Sequence, residues 1–410
     1  MRIARWPLLF GAGALALAAC APAPVLPPHL VPTAETDGAT ASPQASEATS
    51  TQALDTPTPQ PTVVEPRQCS LTDTLTPEQQ VGQLFMLGVD TSGLSDAAKQ
   101  AVLDGQIGSV VLLSNSTAGS VAISSLTSQV ALLGDDAAAP ILVAVDQEGG
   151  QVQRLKGQGF STIPNAQEQG KMSADELRAA ATGWGLELAD AGVHYNLAPV
   201  ADVVPADKLS SNAPIGALRR NFGTDAHSVG SSVAAFVEGM TDAGIATSLK
   251  HFPGLGEVTA NTDFDVAIDD ETTAHPDDLA SFVAGLDAGA SSVMISSAIY
   301  EQIDPDVQGV FSSTIITDIL RGDLGFEGVV ISDDLGAARS VADISAGDRA
   351  TRFIEAGGDL LINADPSHMA EMTDAVVEKA QADAPFAEQI RDAANRVLLL
   401  KEDVGLVDCG

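Results

Sequence analysis

Short apolar runs recur along this chain, and the stretches between them read as helix. The runs are Leu84–Val89, Ile107–Leu113, Ile141–Val145, His194–Pro199, Ala246–Phe252, Ser292–Ser296, Gly328–Ile331 and Asp359–Ile362. One interval opens on a capping box, Ser173-x-x-Glu176, and its alanine-rich stretch stops at Gly192. Another runs from about Ser228 to Ala243 before Gly244, and another from about Thr314 to Leu320 near Gly322. Strand–helix alternation is the signature of parallel β/α units. Runs that are apolar on both faces fit strands covered on both sides. Eight such units in 410 residues predict an α/β fold, a single (β/α)8 TIM-type barrel, in preference to an open doubly wound sheet. The glycine-rich turn of a dinucleotide fold does not follow the first run.

The polar residues that end these runs carry the chemistry. Ile141–Val145 leads into Asp146-Gln147-Glu148, and Asn196–Val200 leads to Asp202. The run through Leu249 ends on Lys250-His251 and breaks on Pro253, Gly254 and Gly256. Val329–Ile331 leads into Ser332-Asp333-Asp334, and the last run ends at Asn363 and Asp365. In a barrel these residues share the C-terminal rim, where active sites are built. Any one of these carboxylates taken alone reads first as a helix cap or loop anchor; the recurrence at several strand ends is what favours a functional rim.

No cysteine cluster, His-x-x-x-His pair or Gly-x-Ser-x-Gly elbow is present, so neither a metal, another cofactor nor a serine nucleophile is expected. Twenty basic residues against 55 acidic ones give a formal charge of -35, which argues against nucleic acid and anionic lipid as partners. Carboxylates with nearby cations suit glycosyl transfer, one carboxylate acting as nucleophile while an acid protonates the leaving oxygen.

Taken together, the motifs Val145-Asp-Gln-Glu-Gly-Gly-Gln-Val-Gln-Arg154, Asn196-Leu-Ala-Pro-Val-Ala-Asp-Val203, Arg220-Asn-Phe-Gly223, Lys250-His-Phe-Pro-Gly254 and Gly328-Val-Val-Ile-Ser-Asp-Asp-Leu335 resemble glycoside hydrolase family 3, most closely its β-N-acetylglucosaminidase branch. The resemblance spans roughly residues 71–402 and implies retaining hydrolysis of terminal β-linked N-acetylglucosamine. It implies Asp333 as nucleophile and Asp146, Arg154, Arg220, Lys250 and His251 as sugar-binding residues. Arg219, beside Arg220, leaves that assignment open by one position.

The chain departs from the branch at its acid/base. That branch carries a histidine, oriented by an aspartate, on the loop after Lys-His-Phe-Pro-Gly. Here the loop reads Leu255-Gly-Glu-Val-Thr-Ala-Asn-Thr-Asp263, with Asn261 in the aspartate place and Asp263 in the histidine place. Asp263 is the first candidate acid/base, followed by Glu257 or Asp265. The remaining readings are a loop that has lost the role in a surface protein that only binds sugar, and a β-glucosidase or β-xylosidase of the same family.

The N-terminus reads as a targeting segment. A basic start, Met1 to Arg5, precedes an apolar stretch from Trp6 to Ala16, and Leu17-Ala-Ala-Cys20 resembles a bacterial lipobox. A plain secretory signal is the alternative. The expected division is therefore a signal peptide over 1–19, a disordered tether over 20–68 with Cys20 lipidated, and the hydrolase barrel over 69–410. The tether has no aromatic residue and no Lys or Arg from 21 to 66, a composition that cannot bury a core. The expected protein is an exported monomer held at the outer face of the cytoplasmic membrane by its lipid, acting on cell-wall carbohydrate. Its two further cysteines, Cys69 and Cys409, form an even pair and a candidate disulfide at the two ends of the barrel.

Overall fold

A computed structural model describes residues 67–134 and 139–410. The expected signal peptide, Cys20 and the tether up to residue 66 lie outside the described residues. Eight parallel strands close into a barrel. In chain order they are β1 (Phe85–Val89), β2 (Ser109–Leu112), β3 (Leu142–Val145), β4 (Tyr195–Asn196), β5 (Ala246–Phe252), β6 (Ser292–Ile295), β7 (Val329–Asp334) and β8 (Leu360–Asn363). Each strand lies beside its sequence neighbours, and β1 meets β8 through Phe85 opposite Leu361. The fold is the (β/α)8 barrel that the alternation predicts.

Alternation within each run explains the two-sided burial. In β1, Phe85, Leu87 and Val89 pack outward into the strand–helix layer, while Met86 points into the barrel with Val111, Ala144, Tyr195, Met294, Ile331 and Ile362. Each fully buried Leu, Ile, Val or Phe contributes about 1.5–3 kcal/mol relative to exposure. Helix starts follow local chemistry: Ser173 and Glu176 form the expected capping box, and Asp225 caps the helix Ala226–Asp242 through the Ser228 N–H.

Two segments differ from the sequence reading. The run His194–Pro199 contributes ladder pairing only at Tyr195–Asn196. Pro199 has no N–H to donate, and the Ala198 N–H turns back to the Asn196 carbonyl at 2.8 Å. The segment Thr314–Asp323 is wound as a π-helix, with the Leu324 N–H donating to the Ile319 carbonyl at 2.9 Å. This winding buries Ile315, Ile316, Ile319 and Leu320.

Barrel closure brings the chain ends together. Cys69 and Cys409, 340 positions apart, are disulfide-bonded with their Cα atoms 4.4 Å apart. The Cys69 N–H donates to Asn395 Oδ1 at 2.7 Å, and the Ser70 N–H donates to the Cys409 carbonyl at 3.0 Å.

Candidate active site

The C-terminal ends of β3, β4, β5 and β7 deliver the expected polar residues to one rim. Asp146 follows β3 directly, and the chain then turns through a short hairpin, Gln147–Gly149 against Val152–Gln153. Gly149 allows this turn: its φ is +111°, and a Cβ there would lie 2.3 Å from the Pro164 carbonyl oxygen. The hairpin places Glu148 beneath the rim, where it is 7% exposed.

Glu148 organises the cations. Arg220 donates from Nη2 to Oε1 at 2.7 Å and from Nε to Oε2 at 2.9 Å. Lys250 Nζ lies 2.7 Å from Glu148 Oε1 and 2.7 Å from Asp146 Oδ1. Arg154 Nη2 approaches Asp146 Oδ2 at 3.9 Å. Burial alone would raise the Glu148 carboxyl, but Arg220 and Lys250 outweigh it and hold the group far below the usual carboxylate range. Burial likewise opposes the charge on Lys250, and Asp146 and Glu148 reverse this and push its ammonium upward. Four of the expected sugar-binding residues, Asp146, Arg154, Arg220 and Lys250, thus form one connected network.

The adjacent Arg219 turns away. Its φ is +58°, its guanidinium reaches Gln167 Oε1 at 3.1 Å and Glu168 Oε1 at 2.9 Å, and its side chain is half exposed. Arg220 is therefore the arginine of this pair that faces the rim network.

A second pair stands beside the first. His251 Nδ1 is 2.7 Å from Asp202 Oδ2. Asp202 Oδ1 accepts the backbone N–H groups of His251 at 3.0 Å and of Leu255 at 2.8 Å. Asp202 is fully buried and His251 nearly so.

Asp333 lies in β7 after Ser332, whose Oγ accepts the Ile362 N–H at 3.0 Å. Asp333 Oδ1 accepts the Asp334 N–H at 2.8 Å. Burial raises its carboxyl above the ordinary value; His251 lowers it in part, and Asp263 adds to the rise. Asp334 differs in kind: its oxygens accept the N–H groups of Gly336 at 2.8 Å, Ala364 at 2.9 Å and Ala337 at 3.0 Å, which ties it into the backbone.

The loop after β5 separates its three carboxylates. Buried Asn212 Nδ2 donates to the carbonyls of Leu255 at 2.6 Å, Gly256 at 3.0 Å and Val258 at 2.9 Å. A Cβ at Gly256 would sit 1.7 Å from the Val203 carbonyl oxygen, so only glycine passes there. Leu255 is buried in the core. Glu257 is ion-paired with Lys208, which also reaches Glu271 at 3.5 Å. Asp265 is exposed and accepts the Val266 N–H at 2.8 Å. Asp263 is exposed, its carbonyl accepts the Arg339 N–H at 3.2 Å, and its charge is felt at both Asp333 and Asp334.

Sequence reasoning left Glu148, Asp202 and Asn212 without roles. The first two stood in rim motifs, but neither spacing nor residue type marks a carboxylate that will hold an arginine 72 positions away. Asn212 carried no signal. Two cavities of about 570 Å³ open elsewhere, one beside Val266, Phe311 and Arg352 and one beside Arg67, Arg321 and Arg396, and neither includes these rim residues.

The sequence profile of the "Glycosyl hydrolase family 3 N terminal domain" matches residues 76–400. The chain belongs to glycosyl hydrolase family 3. Among family 3 relatives, a protein named beta-hexosaminidase from Stenotrophomonas maltophilia is 34% identical over 304 residues, covering 72% of this chain and 87% of the relative. The solved structure of a beta-N-acetylhexosaminidase from Beutenbergia cavernae superposes with a TM-score of 0.79 at 49% identity, covering 80% of this chain and 99% of that one. A family 3 beta-N-acetylglucosaminidase from Paenibacillus sp. gives a TM-score of 0.72 at 28% identity, covering 81% of this chain and 63% of that one. The family 3 match begins near the disulfide at Cys69 and runs through all eight barrel strands.

Proposed function

We propose that this protein is a retaining exo-β-N-acetylglucosaminidase that releases terminal N-acetylglucosamine from cell-wall-derived glycans. Family 3 membership and the hexosaminidase relatives make it a glycoside hydrolase of the β-N-acetylhexosaminidase type. The observation that carries the mechanism is Asp333: a half-buried carboxylate at the C-terminal end of β7, whose ionisation is influenced by His251 and by Asp263 of the loop after β5. Its second oxygen is left for the anomeric carbon.

In the first step the Asp333 carboxylate forms a bond to the anomeric carbon as the glycosidic C–O bond breaks, and Asp263 gives its proton to the departing oxygen. In the second step water attacks the same carbon, Asp263 takes its proton, and the ester to Asp333 breaks. Asp146, Arg154, Arg220, Lys250 and His251 grip the sugar hydroxyls and the acetamido group. Export, lipidation at Cys20 and attachment to the outer face of the cytoplasmic membrane complete the proposal and match a cell-wall substrate.

The test is release of 4-nitrophenol from its β-N-acetylglucosaminide by the full chain and by Asp333→Asn. Activity in the parent that vanishes in the variant supports the proposal. Inactivity in the parent with N-acetylglucosamine still bound replaces it with a surface sugar-binding protein. Faster turnover of the β-glucoside or β-xyloside replaces it with those specificities.

A further inference from the structure

We infer that Arg349 is a positioning residue: it shapes the loop after β7 into a strut that fixes the Asp263 loop relative to Asp333. This rests on the reading of Asp333 as nucleophile and Asp263 as acid/base. A retaining pair needs its carboxyl groups about 5–5.5 Å apart. Asp263 is exposed on the loop after β5, so that spacing needs support from outside its own strand.

Arg349 comes from the helix Ala346–Glu355 and is 6% exposed. Its Nη1 donates to the carbonyls of Leu335 at 2.8 Å and Gly336 at 3.1 Å. Its Nε donates to the Ile344 carbonyl at 2.8 Å and its Nη2 to the Ala342 carbonyl at 3.3 Å. A buried guanidinium is costly to desolvate, and each of these compensating bonds goes to the backbone of one loop. The planar fork thus draws both ends of the loop onto one centre.

The near end is also tied to the barrel. The Leu335 N–H donates to the Ile362 carbonyl at 2.9 Å, and Asp334 accepts the N–H groups of Gly336 and Ala337 at 2.8 and 3.0 Å. Asp333 precedes these residues directly, so this end of the strut shares the strand of the nucleophile. In mid-loop the chain makes a 3-10 turn, Arg339–Val341. Ser340 joins that turn to the segment after β6: its Oγ is 3.1 Å from Ser297 Oγ, and its carbonyl accepts Gln308 Nε2 at 2.8 Å. The turn meets the other loop through the Arg339 N–H, which donates to the Asp263 carbonyl at 3.2 Å. The Arg339 carbonyl accepts the N–H of Ala342, whose own carbonyl is held by Arg349. One set of hydrogen bonds therefore runs from the strand of Asp333, through Arg349, to the backbone of Asp263.

Two accounts of Arg349 differ in what its loss does to two substrates. An arginine that only stabilises the barrel would lower Tm when replaced and leave the two rates in the same ratio below the transition. A positioning arginine would misplace Asp263, and a displacement of about 1 Å costs roughly 10²-fold where geometry matters. That loss falls on a leaving group that needs a proton and spares one that does not.

The experiment compares chitobiose with 4-nitrophenyl β-N-acetylglucosaminide in the full chain, at temperatures where each variant is folded. Arg349→Lys, whose ammonium cannot span four carbonyls, is expected to lower kcat on chitobiose by roughly 10²-fold with far less loss on the nitrophenyl glycoside. Equal losses, or none, overturn the inference. Arg339→Pro carries the test if Arg349→Lys does not fold. Arg339 is exposed and opens its turn, Ala338 before it sits at φ -62° and ψ 135°, which a following proline accepts, and the change removes the N–H that Asp263 accepts. It should move the ratio in the same direction. Arg339→Ala keeps that N–H and controls for the side chain; an equal shift there overturns the inference. Asp263→Ala separates the two readings. If it moves the ratio and Arg349→Lys does not, only the strut fails; if it leaves the ratio unmoved, the acid reading fails and the inference falls with it.

Discussion

Glu148 grips Arg220 with both carboxylate oxygens, at 2.7 Å from Nη2 and 2.9 Å from Nε, and holds Lys250 at 2.7 Å with the same oxygen that meets Nη2. One buried carboxylate therefore sets the position of two of the cations proposed to bind the sugar. Removing one member of such a buried group leaves the rest uncompensated, which costs about 3–5 kcal/mol.

Glu148→Ala should therefore lower stability by about that amount and raise KM for the N-acetylglucosaminide more than it lowers kcat. Denaturant unfolding and steady-state kinetics check this. Unchanged KM would mean that Arg220 and Lys250 keep their places without Glu148. The pH dependence has a definite sign. A carboxyl held low in the folded state stabilises above its unfolded value, and that contribution is lost only as pH falls toward the depressed folded value. The stability gap between parent and Glu148→Gln should accordingly persist at mildly acidic pH and close only in strong acid.

Asp333 should behave in the opposite way. Its carboxyl is raised by burial, so it is most compatible with the fold when protonated, and stability is lost as pH rises through the raised folded value. Asp333→Asn removes this penalty. The variant should lose turnover by at least ~10³-fold while its Tm exceeds that of the parent near neutral pH, with the gap narrowing on acidification below the ordinary carboxyl range. Calorimetry across pH reads the effect, and a variant less stable at every pH would contradict it.

Asp263→Ala tests the loop. An acid that protonates the leaving oxygen contributes about 10²–10⁴-fold, but only where the leaving group needs the proton. Chitobiose cleavage should fall by that factor, while the 4-nitrophenyl glycoside loses far less. Equal losses on both substrates would remove Asp263 from the acid role. Glu257→Gln, which breaks only the ion pair with Lys208, and Asp265→Asn, at an exposed side chain, should leave the ratio between the two substrates unchanged.

The disulfide supports the barrel rather than the chemistry. Joining Cys69 to Cys409 closes a loop over a sequence separation of 340, and in the chain-entropy model such a bridge stabilises by up to about 5 kcal/mol. The double variant Cys69→Ala, Cys409→Ala should melt at lower temperature with unchanged kcat/KM below its transition. Loss of activity at temperatures where the variant remains folded would show that the bridge also shapes the rim.

The barrel and its rim were legible because both are local signals. An apolar run covered on two faces is written in consecutive residues, and the polar group that ends it comes next in the chain, as in Ile331-Ser332-Asp333 or Leu249-Lys250-His251. Pairings across the rim were not legible. Arg219 and Arg220 are indistinguishable in sequence, yet one reaches Glu168 on the surface and the other reaches Glu148 beneath the rim. Glu257, Asp263 and Asp265 share one loop, but Lys208 takes the first, the third faces solvent, and the second alone is felt at Asp333. By itself, then, the sequence determined the strand–helix order and the residues delivered to each strand end, since periodicity and turn chemistry act over a few positions. Tertiary structure decided which of those residues meet. The partners lie 49 to 104 positions apart, as Asp202 with His251 and Asp146 with Lys250 show, and only closure of the barrel and the path of its loops bring such groups within hydrogen-bonding distance.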